Sequence, residues 1–171
     1  RHADLYLGAA DGQGDLRQLT NTVKERYAGI DWVVPRIIEV PSSHTDRPIY
    51  SKLYLPPDFD ANKRYPAVMF VHGAGYLQNV SNRYPNYFRE QMFHNLLVQQ
   101  GYVVLDMDFR ASEGYGRDWR TGIYRHMGGR DLQDHIDGKN LLVNTYGIDS
   151  NRVGIYGGSY GGFITLMAML T

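Results

Sequence analysis

Residues 154–162 have the sequence Gly-Ile-Tyr-Gly-Gly-Ser-Tyr-Gly-Gly, in which Gly157, Ser159 and Gly161 form a Gly-x-Ser-x-Gly pattern. A short strand-like run precedes the pattern, and an apolar helix-like run follows it. A serine on a sharp strand-to-helix turn needs glycine on both sides, because a Cβ there would collide with neighbouring backbone. The context therefore predicts that Ser159 is a nucleophile and not a bystander in a glycine-rich turn.

The backbone after Ser159 is the second part of this predicted site. Tyr160 would be the first residue of the helix. The N-terminus of a helix presents free N–H groups and the positive end of the helix dipole. We therefore expect the Tyr160 N–H to stabilise the oxyanion that forms when a serine attacks a carbonyl carbon.

Residues 71–76, Val-His-Gly-Ala-Gly-Tyr, directly follow a continuous apolar run that predicts a buried strand. A loop of small residues at the end of a strand can bring backbone N–H groups close to a substrate oxygen. We therefore assign His72 and Gly73 to an oxyanion loop, with an ordinary tight turn as the alternative. His72 is expected to hold this loop by hydrogen bonds and not to act as the general base.

A third loop, residues 108–119, follows another predicted buried strand and mixes glycine, charged and aromatic residues. Loops at this edge of an open sheet line binding pockets. Arg110 is therefore a candidate for binding a substrate carboxylate or carbonyl. The alternative is a structural ion pair with Asp108, Asp131 or Asp134. We interpret Asp131 and Asp134, which share a predicted helix face, as bracing residues and not as a catalytic pair.

The chain from residue 65 onward alternates strand and helix patterns. Such alternation predicts an α/β fold with a mostly parallel sheet and flanking helices. On the second helix, Leu132, Ile136 and Val143 are expected to form the apolar face. The predicted elements are strands at 67–71, 102–109 and 153–156 and helices at 86–100, 131–146 and 163–171.

The N-terminal part has a different pattern. Residues 1–22 predict a hairpin around an Asp-Gly-Gln-Gly turn, and residues 23–35 predict a linker. The runs 36–40 and 49–55 then predict an antiparallel pair with one face in water.

Composition excludes several classes of function. Lys plus Arg and Asp plus Glu each number 18, so the net charge of zero argues against nucleic acid or an anionic membrane surface as a partner. The absence of cysteine excludes disulfides, thiolate catalysis and cysteine-ligated zinc. No apolar run approaches the length of a membrane span. Nothing in the sequence calls for a metal or a cofactor.

Four motifs occur together in the chain: Gly-Gly-Ser-Tyr-Gly-Gly at 157–162, Arg110 followed by Gly-Tyr-Gly at 114–116, Asp131 with Asp134, and residues 147–153. From about Trp32 to the last residue, this combination resembles the prolyl oligopeptidase family of serine peptidases. The resemblance is closest to its dipeptidyl-peptidase-IV-like and acylaminoacyl-peptidase-like branches.

The resemblance implies an α/β-hydrolase fold and a peptide substrate. It implies that residues 36–171 are the N-terminal part of the catalytic domain. Because a β-propeller precedes that domain in the family, residues 1–22 are interpreted as a propeller remnant. The remainder of the hydrolase domain, the rest of the propeller and further copies of the protein are the partners expected beside the substrate.

The family's functional residues map onto this chain one by one. Ser159 matches the nucleophile, and Tyr160 matches the backbone oxyanion donor. His72 stands where dipeptidyl-peptidase-IV-like members have a tyrosine that supports the oxyanion hole, whereas acylaminoacyl-peptidase-like members have His-Gly-Gly there. The resemblance therefore implies a backbone donor near Gly73, and the Tyr76 hydroxyl is the alternative.

The family's catalytic triad is incomplete in this sequence. An α/β-hydrolase has its acid and its histidine after the nucleophile, but the residues after Ser159 include no Asp, Glu or His. We therefore expect the 171-residue chain alone to be inactive. Two other functions stay open: an esterase or lipase-type hydrolase, because residues 72–75 are similar to an esterase loop, and a non-catalytic binding module on the same fold.

Overall fold

The computed structural model describes residues 4–73 and 77–171. Its strands are β1 (Tyr6–Leu7), β2 (Arg17–Gln18), β3 (Arg36–Val40), β4 (Ile49–Tyr54), β5 (Tyr65–Val71), β6 (Val103–Met107) and β7 (Ile148–Gly157). Its helices are α1 (Glu25–Ala28), α2 (Phe88–Gln99), α3 (Arg117–Arg120), α4 (Arg130–Thr145) and α5 (Tyr160–Leu170). The alternation of strands and helices predicted after residue 65 is present.

Five strands form one sheet in the order β3-β4-β6-β5-β7. β5 runs parallel to β6 and β7, whereas β4 is antiparallel to both β3 and β6. The strands from residue 65 onward are parallel, as their alternation with helices predicted, and β3 and β4 form the predicted antiparallel pair. The sequence did not predict that β4 pairs antiparallel with β6, and this pairing makes the described sheet mixed and not mostly parallel. The short connection at residues 41–48 accounts for the antiparallel pair β3–β4, since a parallel pair needs a longer crossover between its strands.

β4 also differs from the prediction of a pair with one wet face. It lies between β3 and β6, and five of its six residues are buried. Of the pair β3 and β4, only β3, at the edge of the sheet, exposes most of its side chains. The position of a strand within the sheet, which its own sequence does not encode, therefore decided its burial.

The two faces of the sheet are covered by different helices. On one face, Leu53, Leu105 and Met69 pack with Leu142 of α4 in the main apolar cluster. On the other face, Tyr54 and Val104 pack against Val98 of α2. Cross-strand neighbours share a face, so Lys52, Asp106, Phe70 and Tyr156 form a row across four strands on the α2 side.

The buried face of α4 is more polar than expected. Leu132 is buried, but Ile136 is 41% exposed and Val143 is only partly buried. Asp131, Asp134 and His135 are buried in its first turns instead. Ile136 lines one groove together with Leu132, Val153 and Ile155, so it shares the predicted apolar face, but this groove leaves it partly exposed.

The N-terminal segment forms a separate two-stranded antiparallel sheet, in which Tyr6 pairs with Gln18. All residues of β1 and β2 are exposed. Residues 23–35, predicted as a linker, contain the short helix α1. This segment contacts α2, where the Val33 N–H donates to Asn95 Oδ1 at 2.8 Å.

The edge of the sheet opposite β3 carries an apolar surface. This edge is β7, which pairs only with β5 among the described strands. The sequence predicted a buried strand, but β7 is only partly buried. Leu166, Met169 and Leu170 of α5 are 59%, 72% and 80% exposed. None of the described helices combines the length and the apolar character needed to cross a membrane.

We expect the isolated 171-residue chain to self-associate through this surface, because an exposed strand edge and an apolar helix face both favour association. The double substitution Met169→Lys with Leu170→Lys should lower the mass measured by sedimentation. Val34→Lys is the control, since Val34 is 83% exposed but lies outside this surface. A monodisperse, cooperatively melting wild-type monomer would contradict the expectation.

Candidate active site

Ser159 lies on the sharp turn between β7 and α5. Its φ is 56° and its ψ is −119°, a left-handed conformation that is unusual for a residue with a Cβ. The side chain is exposed and does not cap its own helix. Strained backbone of this kind persists only where the surroundings hold it in place.

The surroundings that hold the turn are the two flanking glycines and the end of β5. A Cβ on Gly157 would lie 2.3 Å from the Val71 carbonyl oxygen, and one on Gly161 would lie 2.1 Å from it. Both distances are far below a van der Waals contact. The glycine spacing is therefore required by the close approach of β5, and it brings Ser159 next to the loop that follows Val71.

The first turn of α5 supplies backbone donors beside Ser159. The Gly161 N–H donates to Gly158 O at 2.9 Å. Tyr160 is the first helical residue, and the first N–H groups of a helix have no acceptor within it. The Tyr160 N–H is thus in a position typical of an oxyanion donor.

The Tyr160 side chain is anchored away from the turn. Its hydroxyl donates to Asp131, whose buried carboxylate also accepts from the Gly128 N–H at 3.1 Å. Its ring stacks on Phe109 with 6.2 Å between the centroids. Burial and the contact with Asp131 raise the pKa of the Tyr160 hydroxyl, so it stays protonated and keeps donating. Asp131 therefore braces the start of α5.

His72 is buried beneath the oxyanion loop, with 1% of its surface exposed. Its Nδ1 lies 2.6 Å from Gly73 O, and its Nε2 lies 2.8 Å from Ser112 Oγ. Burial lowers the pKa of His72, which favours the neutral ring. The carbonyl requires a proton on Nδ1, so Nε2 accepts from the Ser112 hydroxyl. Both nitrogens are thus used to hold the loop, and neither contacts Ser159.

Tyr87, at the N-cap of α2, is a member of this region that the sequence did not reveal. Its hydroxyl accepts a hydrogen bond from the Gly73 N–H at 3.0 Å, and its ring packs edge-on against Phe70. No local pattern marks a tyrosine at this position, because the contact depends on how α2 packs on the sheet. Tyr76, the predicted alternative hydroxyl, lies outside the described residues.

The Arg110 side chain is buried within the fold, and the residue is 5% exposed. Its backbone N–H donates to Asp134 Oδ2 at 2.8 Å, and its guanidinium lies 3.6 Å from Asp134 Oδ1. The guanidinium also contacts His44 and lies over the Trp119 ring at 4.4 Å. This geometry corresponds to the ion-pair alternative and does not favour contact between Arg110 and a substrate.

Two carboxylates at the end of β6 brace the chain beyond the oxyanion loop. Asp108 accepts from the N–H groups of Asn79 at 2.7 Å and Val80 at 3.1 Å, and from the Tyr115 hydroxyl at 2.7 Å. Both oxygens of Asp106 accept from the Asn79 side chain. Burial raises the pKa of Asp108 and that of Asp106, the latter to about 7.

One group within the described ranges has the composition of a metal site, namely His44, Asp134 and Asp137, whose ligand atoms lie within 4.8 Å of one another. The Arg110 guanidinium contacts His44 and pairs with Asp134, so a positive charge already lies against two of the three. This arrangement disfavours a metal ion there.

The glycine contacts lead to a matched pair of variants. Gly161→Ala should lower the free energy of unfolding by about 3 kcal/mol or more, since the clash is with backbone that cannot rotate away. Gly158→Ala should change it far less, because no atom lies within 4 Å of a Cβ there. Urea denaturation of both variants measures the difference. Equal stabilities would contradict the packing described for the turn.

The comparisons with known proteins agree with this geometry. The chain is similar to dipeptidyl peptidase 8 of Mus musculus, with 37% identity over 82% of the chain and 16% of that protein. It is also similar to dipeptidyl-peptidase 5 of Porphyromonas gingivalis, with 34% identity over 64% of the chain and 15% of that protein. The chain thus spans less than a fifth of the length of these relatives.

Solved structures show the same relationship. The dipeptidyl peptidase 4 of Porphyromonas gingivalis matches 93% of the chain with a TM-score of 0.76 and 28% identity, and the chain covers 22% of it. The acylaminoacyl peptidase of Pyrococcus horikoshii matches 99% of the chain with a TM-score of 0.75 and 27% identity, and the chain covers 25% of it. Residues 87–171 match the sequence model of the prolyl oligopeptidase family. This chain belongs to the prolyl oligopeptidase family.

Proposed function

We propose that this chain carries the nucleophile and the oxyanion site of a serine peptidase that hydrolyses peptide bonds of oligopeptides. The observation that carries the proposal is the strained, exposed Ser159, held against the end of β5 by two glycines. The names of the relatives, dipeptidyl and acylaminoacyl peptidases, support a peptide substrate.

In this proposal, Ser159 Oγ attacks the carbonyl carbon of the scissile bond while its proton passes to a base. The carbonyl oxygen becomes an oxyanion that accepts from the Tyr160 N–H. The amine then leaves with a proton from the same base, and water later releases the acyl group by the reverse route.

The base and its orienting acid are proposed to be a histidine and an aspartate outside residues 1–171. Within the ranges 4–73 and 77–171, no hydrogen bond joins Ser159 Oγ to a histidine or a carboxylate. His72 holds the oxyanion loop through both ring nitrogens. An unassisted serine hydroxyl is a poor nucleophile, which supports the expectation that the chain alone is inactive.

The second oxyanion donor is proposed to be the Tyr87 hydroxyl, which the Gly73 N–H holds in place by a hydrogen bond. Because the Gly73 N–H donates to the Tyr87 oxygen, the hydroxyl hydrogen is left to point elsewhere. Accepting one hydrogen bond makes a hydroxyl a stronger donor in the next. The Tyr76 hydroxyl, a residue outside the described ranges, is the alternative donor. Arg110 is left out of the substrate site, because Asp134 already binds it.

The domain assignment remains part of the proposal. The exposed pair β1 and β2 is consistent with residues 1–22 as part of a β-propeller, and residues 36–171 with the first part of a hydrolase domain. The exposed edge of β7 and face of α5 are proposed to be covered by the remainder of that domain. Copies of the protein are a further proposed partner.

The proposal is tested in the full natural chain with a peptide substrate. Ser159→Ala should lower kcat by about 10⁶-fold and abolish labelling by a fluorophosphonate, because the attacking oxygen is lost. Ser150→Ala, at an exposed position, is the control. The 171-residue chain alone should show no turnover.

Three outcomes would contradict this proposal. Undiminished peptide hydrolysis by Ser159→Ala would remove Ser159 from the chemistry. Turnover of esters without turnover of peptides would indicate the esterase alternative. A full natural chain that neither labels nor hydrolyses would indicate a binding module.

The role of Tyr87 has its own test. Tyr87→Phe in the full natural chain should lower kcat by about 100-fold and leave KM nearly unchanged, because an oxyanion donor acts mainly in the transition state. Tyr124→Phe is the control, since Tyr124 is 74% exposed. A loss of thermal stability with an unchanged kcat would show that Tyr87 only supports the loop.

A further inference from the structure

A cavity of about 240 Å³ lies on the α2 side of the sheet, away from Ser159. Four parts of the chain line it: the segment from Tyr27 to Ile37, strand β4, residues 81–85, and Gln91 of α2. No residue of the turn around Ser159 or of α5 lines it. None of the described residues that are proposed for the peptidase site within this chain, including His72, Gly73 and Tyr87, lines the cavity.

Lys52 lines this cavity from the centre of β4. The residue as a whole is 5% exposed, and it borders the cavity. It forms no hydrogen bond or ion pair with any residue in the part of the chain that the structure describes. Burial lowers its pKa. A cation on a largely buried residue is poorly solvated when no partner pairs with it, so a ligand that supplies a negative charge would be bound favourably.

The nearby carboxylates do not take up this charge. Asp106 faces Lys52 in the strand register, but both of its oxygens accept from the Asn79 side chain at 2.7 and 2.6 Å. Asp108 is bound by two backbone N–H groups and by the Tyr115 hydroxyl. Both carboxylates attract the Lys52 ammonium without forming an ion pair with it. The ammonium therefore borders the cavity without a paired charge.

The rest of the lining is consistent with an anionic ligand that has an apolar body. Among the described residues that line it, Lys52 and Arg83 are the only charged ones, and none is Asp or Glu. Trp32, Tyr54 and Tyr84 provide aromatic surface. Polar side chains at its rim can orient a ligand, namely Ser81, Asn82 and Gln91.

We propose that this cavity is a binding site for a small carboxylate with a flat apolar body. The carboxylate would bind Lys52, and the body would pack against Trp32 and Tyr54. The volume is below the range of about 300–1,000 Å³ that is usual for drug-sized ligands, so the ligand is small. This site requires no chemistry at Ser159 and is independent of the proposed peptidase activity.

The test uses phenylacetate and, as its uncharged counterpart, phenylacetamide. Both are titrated into the full natural chain carrying Ser159→Ala, so that binding is measured without turnover. Calorimetry gives the affinity, and tryptophan fluorescence gives the location. Of the two tryptophans in residues 1–171, only Trp32 lines the cavity, so the Trp32→Phe variant of the full natural chain isolates its contribution to the fluorescence change.

Phenylacetate is expected to bind at least about tenfold more tightly than the amide. Lys52→Met should remove this preference, and Lys63→Met, at an exposed lysine, should leave it intact. Trp32→Phe should remove the fluorescence change. If Lys52→Met fails to fold, Arg83→Gln should weaken binding of the acid and leave that of the amide unchanged.

Equal affinity for the acid and the amide would overturn the proposal. So would phenylacetate binding that persists unchanged in Lys52→Met or Arg83→Gln. The absence of binding up to about 10 mM would do the same, and would indicate that another segment of the natural chain fills the cavity. None of these results depends on whether Ser159 is catalytic.

Discussion

The contact between the Val71 carbonyl and the two glycines around Ser159 determines the geometry of the whole candidate site. Any side chain at Gly157 or Gly161 would overlap that carbonyl, so β5 and the start of α5 meet only with glycine at both positions. This contact places the end of β7 beside the end of β5 and brings the His72–Gly73 loop next to Ser159. It also fixes the positive φ of Ser159, which exposes the hydroxyl without tying it to the helix.

Buried carboxylates around this contact hold the loops in place. Asp131 accepts from the Tyr160 hydroxyl, Asp134 from the Arg110 backbone, and Asp108 from the chain after the oxyanion loop. Their burial would be costly if they were unpaired, and donors offset it: N–H and O–H groups at Asp131 and Asp108, and the Arg110 N–H and guanidinium at Asp134. One oxygen of Asp131 and one of Asp134 have no hydrogen-bond partner among the described residues. The polar first turns of α4 are thus required by the loops that pack there, and Asp134 is fully buried for that reason.

The sequence predicts those parts of the structure that depend on local geometry. The turn at Ser159 was predictable because glycine spacing and the flanking patterns lie within one short segment. The ends of α2 and α4 were predictable from Gly101 and Gly147, which have φ values of 83° and 67°. Three features could not be predicted, because each depends on which elements become neighbours. They are the burial of β4, its antiparallel pairing with β6, and the contact between Gly73 and Tyr87. For Arg110, both alternatives were open from the sequence, and the fold brings its side chain to Asp134.

The two sides of the sheet differ in how completely their charges are paired. On the α4 side, Arg110 lies against the carboxylate of Asp134, and Asp131 is bound by two donors. On the α2 side, Lys52 is as deeply buried as Arg110, yet no described residue pairs with it. Two equally buried cations thus have opposite surroundings, although each lies near a pair of carboxylates. Because the two residues are equally exposed, burial does not distinguish them. Their surroundings do: the Trp119 ring packs on the Arg110 guanidinium, whereas Lys52 borders an open cavity.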